Sequence, residues 1–182
     1  MQHRWLFAAL AITPAAIVLP VHAVVYMSAE QARAVLFPQA ARFDDISFDP
    51  TPAQQQIIDQ ALHTSARSRR VQGWVARDAG GTAQGHVLID EVIGKYELIT
   101  YAVAFAPSGE IRAVEILAYR ESHGQEIRLP AWRKQFIGKK TLEELSFGDQ
   151  IKSISGATLS CRHVAEGVQR LAAIHHSLLT PR

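Results

Sequence analysis

The chain has 182 residues, of which 48% are hydrophobic and 20% are charged, a balance typical of globular proteins that excludes a disordered or collagen-like chain. Its 19 Lys and Arg residues and 17 Asp and Glu residues give a net charge of +2 and are scattered along the sequence. This distribution argues against a nucleic-acid partner, which selects clustered positive charge. Cys161 is the only cysteine, so no intrachain disulfide can form.

The first 23 residues have the features of an export signal. A positive start at Arg4 precedes an apolar stretch over residues 6–19, and Val-His-Ala at 21–23 fits a small-x-small cleavage site. The apolar run is shorter than the ~20 residues that span a bilayer comfortably. We therefore predict a signal peptide at 1–23. The alternative is an uncleaved membrane anchor formed by residues 5–26.

Two capping boxes predict helices in an N-terminal helical segment, which we assign to residues 24–70. Ser-Ala-Glu-Gln at 28–31 begins a short helix that ends before Pro38. Thr-Pro-Ala-Gln at 51–54 begins a second helix, whose apolar spacing continues to about Arg67.

The middle of the chain predicts an antiparallel sheet. Runs rich in β-branched and aromatic residues alternate with turn-forming sequences at residues 78–81 and 107–110, which favour hairpins. The predicted strands are 71–77, 86–92, 96–106 and 111–119. The third is apolar on both faces and should be central. The pattern predicts an α+β fold with helices on one side of the sheet.

A long polar loop follows the last of these strands and contains a short helix near Trp132 and Phe136. A final amphipathic helix begins near Ser160, and its apolar residues recur every three to four positions as far as Leu178. This helix should pack on the sheet.

The residues just before this helix carry the clearest functional signal, Ser-Ile-Ser-Gly-Ala-Thr-Leu-Ser at 153–160. Free N–H groups of a first helical turn attract anions such as phosphate. Gly156 lets a ligand approach the backbone closely, Thr158 adds a hydroxyl, and Arg162 adds a positive charge about one turn later. From spacing alone, an ordinary N-cap without a ligand remains the alternative.

The same residues, with others, resemble the FMN-binding domain of sodium-translocating NADH:quinone reductases, Rnf-type electron-transport complexes and small exported relatives. The resemblance extends from about Gly85 to Ala173. It is carried by Gly-Lys-Tyr at 94–96, Tyr-Arg-Glu-Ser-His-Gly at 119–124, Trp132, Gln-Phe at 135–136 and Ser-Gly-Ala-Thr-Leu-Ser at 155–160.

This resemblance implies an FMN-binding domain at residues 71–182, in a periplasmic protein that is exported or anchored to the inner membrane. It implies FMN joined by a phosphoester to Thr158, attached by an FAD:protein FMN transferase, and electron transfer from a membrane-bound reductase to an extracytoplasmic acceptor. The domain itself would be an electron carrier rather than a stand-alone enzyme. The implied cofactor-binding residues are Ser155, Gly156, Ala157, Thr158, Arg162, Glu121, His123, Gly124 and Trp132.

One position departs from the family pattern. The transferase commonly recognises an Asp three residues before the Ser or Thr that opens the motif, and Lys152 stands there, with Asp149 the nearest acid. Lys152 either weakens covalent attachment or pairs with the flavin phosphate. Two alternatives therefore stay open: a module that binds FMN reversibly, and an assembly subunit with an empty site and no redox role.

Cys161 and the histidines suggest no other site. Cys161 lies at a helix N-terminus, which should lower a thiol pKa, but without a second cysteine we interpret it as a small buried residue. His163, His175 and His176 lack the further ligands of a metal site, so no metal is predicted.

Overall fold

Residues 24–63 and 69–180, which the computed structural model describes, form an antiparallel sheet with helices on both faces. The predicted signal peptide at 1–23 lies outside the described residues. The strands are β1 (Val24–Val25), β2 (Arg42–Asp45), β3 (Gln72–Arg77), β4 (Ala83–Ile93), β5 (Leu98–Phe105) and β6 (Ile111–Tyr119). The α-helices are α1 (Ala29–Leu36), α2 (Pro52–Leu62), α3 (Pro130–Arg133) and α4 (Thr158–Ile174). Short 3₁₀ turns at 125–128, 134–136 and 143–145 and a π-helical turn at His175–Leu179 complete the chain.

The strand order is β1-β6-β5-β4-β3-β2, and every neighbouring pair is antiparallel. The predicted α+β class, the two hairpins and the central position of the third predicted strand are confirmed. Tyr96, predicted to be the first residue of that strand, lies outside it. The Gly94 N–H donates to the Glu97 carbonyl in a tight turn, and β5 begins only at Leu98.

Both edge strands come from the segment predicted to be helical. β1 pairs with β6, and β2 pairs with β3. Neither strand shows apolar alternation in the sequence, because β1 has 2 residues and β2 is the polar run Arg-Phe-Asp-Asp, so neither was predicted. Their pairing makes residues 24–63 part of the same sheet as the later chain.

The first two helices begin as their capping boxes predict. The hydroxyls of Ser28 and Thr51 each accept the N–H of the third helical residue, and the Gln side chain there accepts the N–H of the capping residue. The predicted end of the second helix near Arg67 is wrong. α2 ends at Leu62 because His63 adopts a left-handed conformation, with φ of 52°.

The helices pack on two faces, which corrects the prediction that they lie on one. Alternate residues of β5, such as Tyr101 and Phe105, face α2 and α4 in the larger core. The residues between them, such as Ala102, face Ala32 and Leu36 of α1 in a smaller core. α1 packs on this second face because burial of its apolar stripe away from water is favourable.

Helix α4 is held against β4 and β5 by a close contact and a buried ion pair. Gly167 lies so near the Tyr101 ring that a Cβ there would be 2.8 Å from Cζ. One turn later, Arg170 Nη1 lies 2.9 Å from Asp90 Oδ2, and both side chains are 6% exposed. The Tyr101 hydroxyl also donates to Asp90, over 3.3 Å. These contacts set where α4 begins relative to the sheet.

Within residues 24–63 and 69–180, none of the helices combines the length and apolar character that crossing a bilayer requires.

Replacing Gly167 by Ala should destabilise the protein by about 1–3 kcal/mol, because the added methyl group collides with Tyr101 in a packed interface. Helix propensity alone would favour Ala by about 1 kcal/mol, so the sign of the change separates the two effects. Denaturant unfolding measures it. Gly80→Ala, in an exposed turn where the nearest atom is 3.4 Å from the new Cβ, is the control and should change little. An unchanged or raised stability of Gly167→Ala would contradict the packing argument.

Acid should destabilise the protein through His175, which stacks on Phe105 and is fully buried. Burial, with His86 and His176 nearby, lowers the pKa of His175 from 6.5 to about 3. Between these values the unfolded chain holds a proton that the folded chain lacks, so stability falls by about 1.4 kcal/mol per unit as pH drops. His175→Leu should flatten this slope in unfolding measured from pH 7 to pH 4. Substituting the exposed His63 by Asn should leave the slope intact.

Candidate flavin site

A cavity of about 1150 Å³ lies at the end of the sheet where β4 and β6 finish and α4 begins. The register places this end, because Ile99 pairs with Tyr119 on one side and with Val92 on the other. The cavity is lined by residues 95–96, 121–126, 128–130 and 156–160. This volume exceeds the roughly 300–1,000 Å³ of typical ligand pockets, so the cavity has room for a mononucleotide or a dinucleotide.

The N-terminus of α4 lines this cavity without a side-chain cap. Ala157 occupies the N-cap position and has no oxygen on its side chain, whereas α1 and α2 both have complete capping boxes. The first amides of α4, from Thr158 to Ser160, have no carbonyl one turn earlier to bind. The start of the longest helix therefore presents N–H groups and a partial positive charge to the cavity.

Gly156 opens the floor of the site. Its φ is 83°, a left-handed conformation that favours glycine, and a Cβ built there would meet nothing within 4 Å. Open space therefore lies beside this backbone, where Gly156 lines the cavity. A side chain there would occupy the room next to the first turn of α4.

Gly124 brings the opposite wall close to α4. Its φ is 91°, and a Cβ would lie 2.5 Å from Tyr119 Oη and 3.4 Å from Ala157 Cβ. Only a residue without a side chain allows this approach. The Tyr119 hydroxyl donates to the carbonyl of His123, and Ser160 Oγ lies 3.1 Å from the same hydroxyl.

Glu121 holds the turn at residues 94–97, which forms another wall of the cavity. Its carboxylate is 8% exposed, and Oε1 accepts the backbone N–H groups of Tyr96, over 2.5 Å, and Glu97, over 3.0 Å. Gly94 permits this, since a Cβ there would lie 2.7 Å from the same oxygen. One oxygen of the carboxylate is therefore already hydrogen-bonded to the protein backbone.

The structure brings six of the nine predicted cofactor residues together at the cavity: Glu121, His123, Gly124, Gly156, Ala157 and Thr158. Thr158 is exposed there, and α4 begins at this residue, two positions earlier than predicted. The other three, Ser155, Arg162 and Trp132, lie outside the lining.

Trp132 and Arg162 have other contacts. The Trp132 side chain is buried against Phe136, with ring centroids 5.2 Å apart, and its Nε1 donates to the Lys152 carbonyl over 2.8 Å. The Arg162 guanidinium lies over the Phe147 ring, 5.5 Å from its centroid. This hydrogen bond joins α3 to the segment that leads to the Ser-Gly-Ala-Thr motif.

Residues outside the predicted cofactor set supply the cations and the apolar side chains of the cavity. Lys95 and Arg128 line it, as do the exposed apolar side chains of Tyr96, Leu129 and Leu159. The Arg128 guanidinium stacks on the ring of Tyr26, which follows β1. Gly-Lys-Tyr at 94–96 was part of the resemblance, so Lys95 and Tyr96 had a sequence signal, whereas the 128–130 turn had none.

Lys152, the position that departs from the family pattern, is not part of the lining. Its Nζ donates to the Gly148 carbonyl over 2.6 Å, and its backbone N–H donates to Gln135 Oε1 over 2.8 Å. The ammonium group is thus directed along its own loop.

Cys161 is fully buried, as the small-residue interpretation predicts. The expected lowering of its pKa is wrong: burial raises the pKa of the thiol, although the Ile154 N–H donates to Sγ over 3.4 Å. Loss of water outweighs the helix terminus, so the thiol stays neutral near pH 7. Among residues 24–63 and 69–180, no three His, Cys, Asp or Glu side chains gather closely enough to hold a metal ion.

Comparison with known proteins agrees with this geometry. Residues 94–173 match the family described as the FMN-binding domain. The chain also resembles the crystal structure of Shewanella oneidensis NqrC, with a TM-score of 0.51 and 16% sequence identity, over 85% of this chain and 86% of that one. No curated protein sequence matches the chain significantly.

The structural similarity establishes a shared fold, and the family match covers the segment that builds most of the cavity. Both agree with the resemblance found in the sequence, which is confirmed. The matched segment includes the 94–97 turn, the 119–124 loop and the start of α4. Over residues 94–173 this chain is therefore similar to the FMN-binding domain family.

Proposed function

We propose that this protein is an exported electron carrier that holds one FMN, joined through its phosphate to Thr158. It accepts electrons from a membrane-bound reductase or electron-transport complex and passes them to an acceptor outside the cytoplasm. The observation that carries the proposal is the uncapped start of α4, which opens into a large cavity within the segment that matches the FMN-binding domain.

The residues present fit a flavin mononucleotide. The amides of Thr158 to Ser160 suit a phosphate, and Gly156 leaves room for it beside the backbone. Lys95 and Arg128 add positive charge to the same cavity. Tyr96, Leu129 and Leu159 offer apolar surface of the kind that binds an aromatic ring. The lining therefore matches a ligand with one anionic end and one aromatic end.

The covalent link requires FAD and a transferase. The Thr158 hydroxyl oxygen forms a bond to the phosphorus of the FMN half of FAD, and the bond that joins the two phosphates breaks. AMP leaves and the hydroxyl proton is released, with no change in oxidation state. Thr158 is exposed at the cavity, so its hydroxyl is accessible to such an enzyme. A covalent joint suits an exported protein, which has no local pool of FMN from which to replace a lost cofactor.

The flavin, when bound, supplies one- and two-electron transfer. The chain's own residues bind its phosphate, orient it and limit the access of water. Tyr119 cannot act as a base near neutral pH, because burial raises the pKa of its hydroxyl. The site needs no catalytic acid or base for electron transfer, which agrees with an electron carrier rather than a stand-alone enzyme.

Reversible FMN binding is the second candidate, and Lys152 favours it. The position where the transferase commonly meets an Asp holds a Lys whose ammonium is bonded to its own loop. The phosphate contacts at α4 are the same in both candidates. An assembly subunit with an empty site is the third reading and predicts no flavin under any condition.

Thr158→Ala should abolish covalent flavin because it removes the acceptor hydroxyl, and it should leave the fold intact because the hydroxyl and methyl groups it removes are exposed. The change in free energy of unfolding should stay within about 1 kcal/mol. The measurement is the intact mass and visible spectrum of full chain produced with an FAD:protein FMN transferase. Wild-type protein should gain the mass of FMN minus water on the peptide that contains Thr158.

Thr82→Ala is the matched control, since it makes the same substitution at an exposed threonine between β3 and β4, outside the cavity lining, and should keep the flavin. Flavin that is retained by native wild-type protein but lost on denaturation would replace the covalent proposal with the reversible one. Colourless wild-type protein would defeat both.

Gly156→Val should reduce FMN occupancy at least tenfold, because its side chain enters the space beside the first turn of α4. Gly138→Val is the control: its φ of 80° and open surroundings repeat the backbone strain of Gly156, with φ of 83°, away from the cavity. Flavin absorbance per protein measures occupancy for both. Equal occupancy of Gly156→Val and Gly138→Val would contradict the placement of the phosphate.

A further inference from the structure

Three of the chain segments around the cavity are each hydrogen-bonded to the other two. They are the 94–97 turn between β4 and β5, the 119–124 loop, which begins at the last residue of β6, and the α4 start, residues 157–163. Their contacts involve groups that the proposed function leaves without a role.

The first bond joins the 119–124 loop to the 94–97 turn. Oε1 of the buried Glu121 accepts the N–H groups of Tyr96 and Glu97, over 2.5 Å and 3.0 Å. Gly94 allows the carboxylate to come this close, because a side chain there would overlap it. The contact needs only a hydrogen-bond acceptor at this position, so a neutral side-chain oxygen can serve as well as a carboxylate oxygen.

The second bond joins the 119–124 loop to the α4 start. The Tyr119 hydroxyl donates its one proton to the His123 carbonyl, so the Ser160 hydroxyl, 3.1 Å away, must donate to Tyr119. The lack of a side chain at Gly124 brings the two segments within reach.

The third bond joins the α4 start back to the 94–97 turn. His163 Nδ1 lies 2.7 Å from the carbonyl oxygen of Ile93 and 2.9 Å from that of Gly94. A carbonyl oxygen only accepts hydrogen bonds, so Nδ1 carries a proton and donates to both. The three bonds thus close a ring around the site.

We propose that Tyr119, Glu121 and His163 are positioning residues that form a closed hydrogen-bonded frame and hold the cavity open in its flavin-binding shape before FMN arrives. The inference rests on the proposed function and assigns roles within that site. The frame sets the distance between Thr158 and the walls that face it. A preformed site binds more tightly because less ordering is needed on binding.

A closed ring makes a distinctive prediction about combined substitutions. Breaking one of three bonds already lets the three segments separate, so breaking a second should weaken binding little further. Independent contacts would instead multiply their effects on the dissociation constant. Non-additivity in FMN affinity therefore distinguishes a frame from three separate stabilising bonds.

The test measures the dissociation constant of FMN by fluorescence titration of full chain purified from cells that lack the transferase. Tyr119→Phe, Glu121→Ala and His163→Ala should each weaken binding about five- to tenfold, the loss expected for one hydrogen bond of about 1 kcal/mol or slightly more. The double variant Tyr119→Phe with His163→Ala should bind within about twofold of the weaker single variant. A product of the two single effects would overturn the frame.

Glu121→Gln is the conservative rescue, because the amide oxygen can still accept both N–H groups. It should bind FMN within about twofold of wild type, and a loss as large as that of Glu121→Ala would overturn a role based on acceptor geometry. Gln169→Ala is the control for the loss of a hydrogen bond, since it breaks the bond from α4 to the Leu142 carbonyl, outside the cavity. It should lower thermal stability without changing FMN affinity.

Failure of this inference and failure of the proposed function give different results. Wild-type chain that binds FMN, with all three single variants unchanged, rejects the frame alone. Wild-type chain that binds no FMN, with or without the transferase, rejects the proposed function and with it any role for the frame in flavin binding.

Discussion

The packing of α4 across β4 and β5 is the constraint on which the rest of the site depends. The contact of Gly167 with Tyr101 and the buried pair of Asp90 with Arg170 fix the helix along the strands. Removing one partner of such a pair would leave an uncompensated buried charge, which is costly. Because this packing sets where α4 starts, it decides that Thr158 meets the loops at the end of the sheet.

At that end the protein leaves backbone groups unpaired where elsewhere it pairs them. α1 and α2 satisfy their first amides with complete capping boxes, while α4 begins at Ala157 with no side-chain acceptor. A large cavity faces these amides. In the proposed function the FMN phosphate would supply the acceptor that the sequence omits, because free amides at a helix start attract anions.

The candidate site was predicted from the sequence where its residues are contiguous, as at 156–158 and 121–124. Its cations, Lys95 and Arg128, were not among the predicted site residues, because they come from separate parts of the chain that only the folded protein brings to one cavity. Trp132 illustrates the reverse case. An aromatic residue in a polar loop can pack on a flavin ring or in the protein core. Tertiary packing decides between them, and it buries Trp132 against Phe136.

The sequence by itself determined the features that depend on neighbours along the chain. Capping boxes, hairpin turns and apolar alternation predicted α1, α2 and the four longer strands, since these patterns act within a few residues. Tertiary structure alone decided the edge strands β1 and β2, whose short or polar sequences form strands only because β6 and β3 offer free backbone groups. It also decided that α1 covers the second face of the sheet and that the pKa of the Cys161 thiol is raised rather than lowered, because burial depends on the whole fold.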